Sequence, residues 1–180
     1  FGVDMVYWVL EVIEDFMRAS TPAADARQVF LHGALSRIAP IHGRLTSLQC
    51  AAVTHLAQEL GWSLQSFGII TERKRPEDIA SRIRGLRIAI YSLTESSSRQ
   101  AKAAIEELAP TAIVECSADH GGTTRLRSLA ENADLFVMTW LSAKHAATDF
   151  IREHRGSRPL VYAQGRGFSS ILRAVEDYVR

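Results

Sequence analysis

The sequence predicts an α/β protein: a small Rossmann- or flavodoxin-like parallel sheet of about four strands, preceded by an N-terminal helical segment. Three observations predict it. Up to about residue 60, apolar residues recur at spacings of three and four, the period of a helix face. After Gly85, short β-rich runs alternate with amphipathic stretches, as they do in strand-helix-strand units with right-handed crossovers. Between the two lies a stretch with neither period, carrying the basic run Arg73-Lys74-Arg75 before Pro76, which reads as a linker. The expected division is therefore 1–75 as helical bundle and linker, and 76–180 as the Rossmann-like domain.

In the first segment, Val6, Val9, Leu10, Ile13, Phe16 and Met17 line one side of a helix from Val3 to Arg18. Ser20-Thr21-Pro22 then pairs a cap with a first-turn proline. A second helix is expected from about Ala23 to Ile38 with Val29, Phe30, Leu35 and Ile38 inward, ended by Pro40 and Gly43. A third runs from about Leu45 to Leu60 on Leu48, Ala52, Leu56 and Leu60, with Gly61 where a C-terminal glycine belongs. Leu64 to Thr71 reads as extended. Pro76, Glu77, Asp78 and Ile79 open a short helix to about Arg84, because acidic residues suit the positive end of a helix, and Gly85 stops it.

Four strands follow, at Leu86–Tyr91, Ala112–Cys116, Leu135–Trp140 and Leu160–Gln164. The helices between and after them cover Ser97–Leu108, Thr123–Ala133, Ala143–His154 and Ser169–Val179. Short crossovers favour a strand order such as 2-1-3-4. In such sheets ligands gather at the carboxyl ends of the strands, near the point where strand order reverses.

Composition narrows the function classes. Apolar residues make up 47% and charged residues 23% of 180, ordinary for a folded globular chain. Lys plus Arg number 21 against 20 Asp plus Glu, so a net charge of +1 supplies no global field toward nucleic acid or membrane, and any such binding has to be local. No apolar run approaches the roughly 20 residues that span a bilayer. Cys50 and Cys116 fall on an expected buried helix and buried strand and form no disulfide framework, which fits a cytoplasmic protein. The chain starts at Phe1 and not at a methionine, which suggests a piece of a larger protein.

The four strand-end loops hold the chemistry. The first, Ser92-Leu93-Thr94-Glu95-Ser96-Ser97-Ser98, offers hydroxyls at a helix start whose amides can bind an anion, with ordinary capping as the alternative. It has neither the glycines of a dinucleotide fingerprint nor a P-loop ending. The second, Asp119-His120-Gly121-Gly122-Thr123-Thr124, is a tight turn whose glycine pair can take angles other residues avoid; Asp119 and His120 are acid-base candidates or simple turn residues. In the third, Lys144 and His145 sit at a helix start, where positive charge is unfavourable unless an anion is shared; the alternative is that both face solvent. The fourth, Gln164-Gly165-Arg166-Gly167-Phe168-Ser169-Ser170, sets two glycines around an arginine before a serine-capped helix. No spacing suits a metal and no cofactor is implied. The expected ligand-binding set is Ser92, Thr94, Ser96, Lys144, His145, Arg166, Ser169 and Ser170, with His120, His145 and Asp119 as candidates for catalysis.

Ala133-Asp134-Leu135-Phe136-Val137 with Ser142 and His145, then Pro159-Leu160-Val161-Tyr162 and Gly165-Arg166-Gly167-Phe168-Ser169-Ser170-Ile171-Leu172, resemble a bacterial domain-of-unknown-function family, the 2325 family. That resemblance covers about half the chain. It implies a small Rossmann-like module closing longer bacterial proteins, some of them associated with anti-phage defence. The first strand departs from the pattern, ending in Tyr91-Ser92-Leu93-Thr94 where the family has a glycine-rich turn.

The residues favour a regulatory module that recognises a phosphate-bearing ligand, a nucleotide or a nucleic-acid end, within a larger protein. One alternative is an enzyme acting on a nucleotide or phosphodiester, with His120 or His145 as acid or base and Asp119 orienting it. Another is a scaffold that docks partner subunits through the helix Val3–Met17. The densest basic stretch, Arg73, Lys74, Arg75, Arg82, Arg84 and Arg87, suits nucleic acid or a solvated linker.

Overall fold

A computed structural model describes residues 1–19, 24–69 and 79–180. They fall into two compact units, 1–78 and 79–180.

In the first unit a 3-10 turn at Val3–Met5 leads into α1 (Val6–Arg18), followed by α2 (Ala24–Ile38) and α3 (Ser47–Glu59). Helix α1 packs on both others, over a core that includes Val6, Leu10, Leu31, Leu35, Leu48 and Leu56. The inward stripe of α2 is Leu31, Ala34, Leu35 and Ile38. Val29 and Phe30, expected inward, lie off that stripe and are exposed; Phe30 meets Phe16, also exposed, edge-to-face at 5.3 Å. Pro40 does not break the chain out of helix, since α2 continues directly into a 3-10 segment, Ala39–Arg44. Helix α3 starts two residues later than its apolar pattern suggests, because Thr46 and Gln49 form a reciprocal capping box.

At the far end of α3, Gly61 has φ +71°; its amide bonds Gln58 O and the Trp62 amide bonds Ala57 O, a Schellman closure that needs a left-handed residue. Leu64–Phe67 is a 3-10 turn, not the extended segment expected. Ser66 reaches back to Ser63 O, and Gly68 at φ +71° ends the turn. The expected breaker Ser20-Thr21-Pro22, the basic run Arg73-Lys74-Arg75 and the helix start at Pro76 lie outside the described residues.

The second unit begins with α4 (Ile79–Ile83), closed by Gly85 at φ +74°. It continues as β1 (Arg87–Tyr91), α5 (Glu95–Leu108), β2 (Ile113–Ser117), α6 (Thr124–Asn132), β3 (Leu135–Thr139), α7 (His145–Arg155), β4 (Leu160–Ala163) and α8 (Phe168–Val179). All three strand pairings are parallel, in the order β2-β1-β3-β4. Helix α5 packs with α8 and α6 with α7, one pair on each face of the sheet, as right-handed crossovers require. Alternation along β1 and β3 sends Ala89, Tyr91, Phe136 and Met138 to the α6/α7 side, among Leu126, Leu129, Ala147 and Ile151. Ile88, Ile90, Leu135 and Val137 are buried on the opposite side. Each such large side chain contributes about 1.5–3 kcal/mol by leaving water.

The outer edge of β2 is sealed by side chains. Glu106 from α5 accepts the Val114 amide at 3.3 Å, and Arg125 from α6 donates to Cys116 O at 2.9 Å. An edge whose peptide groups are occupied this way cannot easily recruit another strand. Cys50 and Cys116 form no disulfide and are half-buried, less enclosed than their periodicity suggested. Burial pushes the Cys116 thiol above its ordinary range.

Candidate functional site

The strand order reverses between β1 and β3, so the loops after these strands frame the crevice where ligands of open α/β sheets gather. Here the crevice is hydrogen-bonded shut. The Leu93 amide donates to Ser142 O at 2.9 Å, the Thr94 and Ser142 hydroxyls share a 2.8 Å hydrogen bond, and Thr139 Oγ1 donates to Tyr91 O at 3.2 Å. Below it, the buried Tyr91 hydroxyl donates to Asp119 O at 2.9 Å and accepts the Lys144 amide at 3.5 Å, joining the loops after β2 and β3. Burial raises the Tyr91 pKa, with a smaller push from the Asp119 charge.

The hydroxyls expected to meet a ligand divide sharply. Ser92, Ser169 and Ser170 are buried; Ser92 Oγ accepts the Thr94 amide at 3.1 Å and Ser170 Oγ accepts the Gly165 amide at 2.6 Å. These two close their own loops. Thr94 is half-buried and bonded to Ser142, whereas Ser96 is exposed on the first turn of α5. Sequence cannot separate these fates, because loop closure and anion binding draw on the same residue types.

In the loop after β2, Asp119 Oδ2 accepts from Ser117 Oγ at 3.0 Å and from Thr123 Oγ1 at 2.8 Å, while Thr123 Oγ1 also caps α6 through the Leu126 amide. Asp119 thus orients a cap, with no hydrogen bond to a histidine among the described residues, and His120 is exposed beside it. The glycine pair serves differently from the expectation. Neither Gly121 nor Gly122 has a positive φ; instead a Cβ on Gly122 would fall 2.4 Å from the Phe150 ring of α7, so close approach is what demands glycine there.

The cations behave as a set of their own. Lys144 is the N-cap of α7, His145 its first residue, and Arg166 lies in the loop before α8; all three are exposed. Among the described residues neither the Lys144 ammonium nor the Arg166 guanidinium has a hydrogen bond or ion pair. Helices α5 and α7 start at this end of the sheet without a side-chain cap, leaving amides available to an acceptor, while α6 is capped by Thr123. Among the described residues no group of three or more His, Cys, Asp or Glu side chains could hold a metal.

A model of the DpdD-like family matches residues 2–174, across both units. The chain belongs to the DpdD-like family. No curated protein and no solved structure matches it. The DpdD-like match covers the helical unit as well as the sheet, whereas the resemblance to the 2325 family drew on the C-terminal strands and loops alone.

Two features of this DpdD-like chain escaped the sequence reading. The Tyr91 hydroxyl that ties two loops together was signalled only by a tyrosine ending an aliphatic buried strand, where its O–H must find a partner. Trp140 and Tyr162, counted as strand residues, meet on the surface in a T-shaped contact at 6.3 Å.

Proposed function

We propose that the chain is a binding or regulatory module of a larger bacterial protein, acting in a DNA-modification or defence-related system, a role suggested by its DpdD-like family. Its ligand in this reading bears a phosphate, as a nucleotide or a nucleic acid. The observation that carries the reading is a pair of exposed cations without a partner among the described residues, Lys144 at the uncapped start of α7 and Arg166 in the neighbouring loop before α8. A cation placed at the positive end of a helix is unfavourable alone, and a bound anion removes the conflict by accepting from both. An enzyme has less support, since Asp119 is engaged with Ser117 and Thr123 and orients no histidine. In this reading the module works in the cytoplasm; among the described residues no helix is long and apolar enough to cross a membrane.

A second reading has one observation in its favour. Phe1, Met5 and Trp8 remain exposed around the start of α1, an apolar surface suited to docking a partner subunit.

Thermal unfolding of the chain with nucleotides, cyclic nucleotides, short DNA and RNA, and inorganic phosphate tests the first reading. A ligand at a hundred times its Kd stabilises by about 2.7 kcal/mol. The shift should vanish in Lys144→Ala and Arg166→Ala. A shift that survives both substitutions, or none with any ligand, overturns the anion site and favours the scaffold.

A further inference from the structure

An aromatic ledge adjoins the cationic loops. Trp140 opens the loop after β3 and Tyr162 is the third residue of β4, with ring centroids 6.3 Å apart at 77°. Trp140 and its neighbour Leu141 are each 52% exposed and Tyr162 is 39% exposed, in a unit whose other described aromatics on the sheet, Tyr91 and Phe136, are fully buried. The ledge is braced from α7: Arg152 Nε donates to the Tyr162 hydroxyl at 3.0 Å, and its guanidinium lies 5.7 Å from that ring's centroid. Arg152 also pairs with Asp149 at 3.8 Å, which fixes its direction. The rings are therefore oriented while their outer faces stay in water.

Exposed rings gathered into one patch offer faces that a ligand can cover, and the surrounding charge indicates what kind of ligand. Trp140 precedes Lys144 by four residues in one loop, and Tyr162 precedes Arg166 by four in the next. The two strands are neighbours in register, Met138 against Tyr162 and Thr139 against Ala163, so both loops leave the sheet side by side. Aromatic faces next to a cationic track are what a single-stranded nucleic acid requires: the bases stack and the phosphates meet the cations, with no particular sequence needed. In a duplex the bases cover one another and present no face to a ledge.

We propose that Trp140 and Tyr162 stack the bases of a single-stranded nucleic acid whose phosphates lie on Lys144 and Arg166. The inference rests on the anion site proposed above and narrows its ligand. Arg152 is a positioning residue for Tyr162, and the ledge selects single strands over duplex and over inorganic phosphate.

The test compares binding of the full chain to two labelled strands of equal length, one of ordinary thymidines and one abasic, together with a duplex, by fluorescence anisotropy across a salt series. Both strands carry the same phosphates, and only one carries bases. Stacking is worth about five- to 150-fold in affinity per base, so the ordinary strand should bind at least several-fold tighter than the abasic one. Trp140→Ala and Tyr162→Ala should close that gap and leave the salt dependence unchanged, while Trp140→Phe should keep most of it. Lys144→Ala and Arg166→Ala should weaken both strands alike and flatten the salt dependence.

Equal binding of ordinary and abasic strands, with Lys144 and Arg166 still required, overturns the ledge and leaves the anion site standing. Salt-independent binding indifferent to Lys144 and Arg166 overturns the anion site and the ledge with it. If Trp140→Ala instead abolishes self-association of the chain without changing affinity for either strand, the ledge is a protein contact and the proposal is wrong.

Discussion

Two arginines of the α/β unit, Arg155 at the amino end of the sheet and Arg166 at the carboxyl end, have opposite fates. Arg155 is fully buried. Its Nη1 donates to Ala130 O at 2.8 Å and Ala133 O at 2.7 Å, its Nη2 to Asp134 O at 3.4 Å and to Pro159 O, and the guanidinium lies 5.7 Å from the Phe136 ring centroid. Those acceptors end α6 and flank the starts of β3 and β4, where the final carbonyls of a helix lack intrahelical partners and carry partial negative charge. Burial still pushes the Arg155 pKa down. Arg166 stands beside a helix start, where backbone offers donors and not acceptors, so the fold leaves it without a partner among the described residues. A cation serves the fold where the chain supplies acceptors, and is available for a ligand where it does not.

The largest effect should come from breaking the buried side of this contrast. Arg155→Ala removes the donors of four carbonyls and leaves those that water cannot reach unsatisfied, each costing about 1–3 kcal/mol. The expected loss is about 3 kcal/mol or more, or about 15 °C in the melting temperature of a unit this size, measured by calorimetry. Arg155→Lys keeps the charge but not the forked geometry and should restore less than half. A loss below about 1 kcal/mol would mean that water satisfies the carbonyls, and the distinction between the two arginines would lose its physical basis.

Tyr91 gives a smaller and pH-dependent contrast between the ends. Its hydroxyl joins Asp119 O and the Lys144 amide, so Tyr91→Phe should cost about 1 kcal/mol at neutral pH. Because burial raises its pKa in the folded chain, the unfolded chain loses this proton first as pH rises. Stability is then fully present below about pH 10, the ordinary tyrosine value, and declines as pH climbs from there toward the folded pKa. Denaturant melts of wild type and Tyr91→Phe across that range should converge at alkaline pH. Parallel curves would show that the hydroxyl is not held as the geometry requires.

Much of this architecture was legible in the chain. The four strands and their parallel pairing follow from the alternation of β-rich runs with helical periods, and strand limits agree within a residue; short crossovers only favoured an order such as the β2-β1-β3-β4 found. Helix ends were less legible because caps decide them: Thr46 with Gln49 starts α3, and Thr123 starts α6. The α2 stripe was misread because an apolar residue such as Val29 can sit in the solvent at little cost, so composition alone does not orient a helix. At the strand ends the cations Lys144, His145 and Arg166 were recognisable by their position at helix starts. The serines were not, since whether Ser92 or Ser170 turns inward depends on an amide a few residues away, and the Thr94–Ser142 closure joins residues 48 apart.

The smallest stability effect should fall on the exposed side of the contrast. Arg166→Ala removes a guanidinium with no partner among the described residues, so the free chain should change by less than about 0.5 kcal/mol, within the range of ordinary surface substitutions. It should even gain slightly at low salt, since a positive charge leaves the positive end of α8. That gain should shrink as salt screens the helix field, with half-maximal screening reached well before 1 M. Denaturant melts of Arg166→Ala at low and high salt therefore read the field at this helix start directly. A loss of 1 kcal/mol or more in the free chain would mean that Arg166 is held by the fold after all, and the two arginines would differ in burial but not in kind.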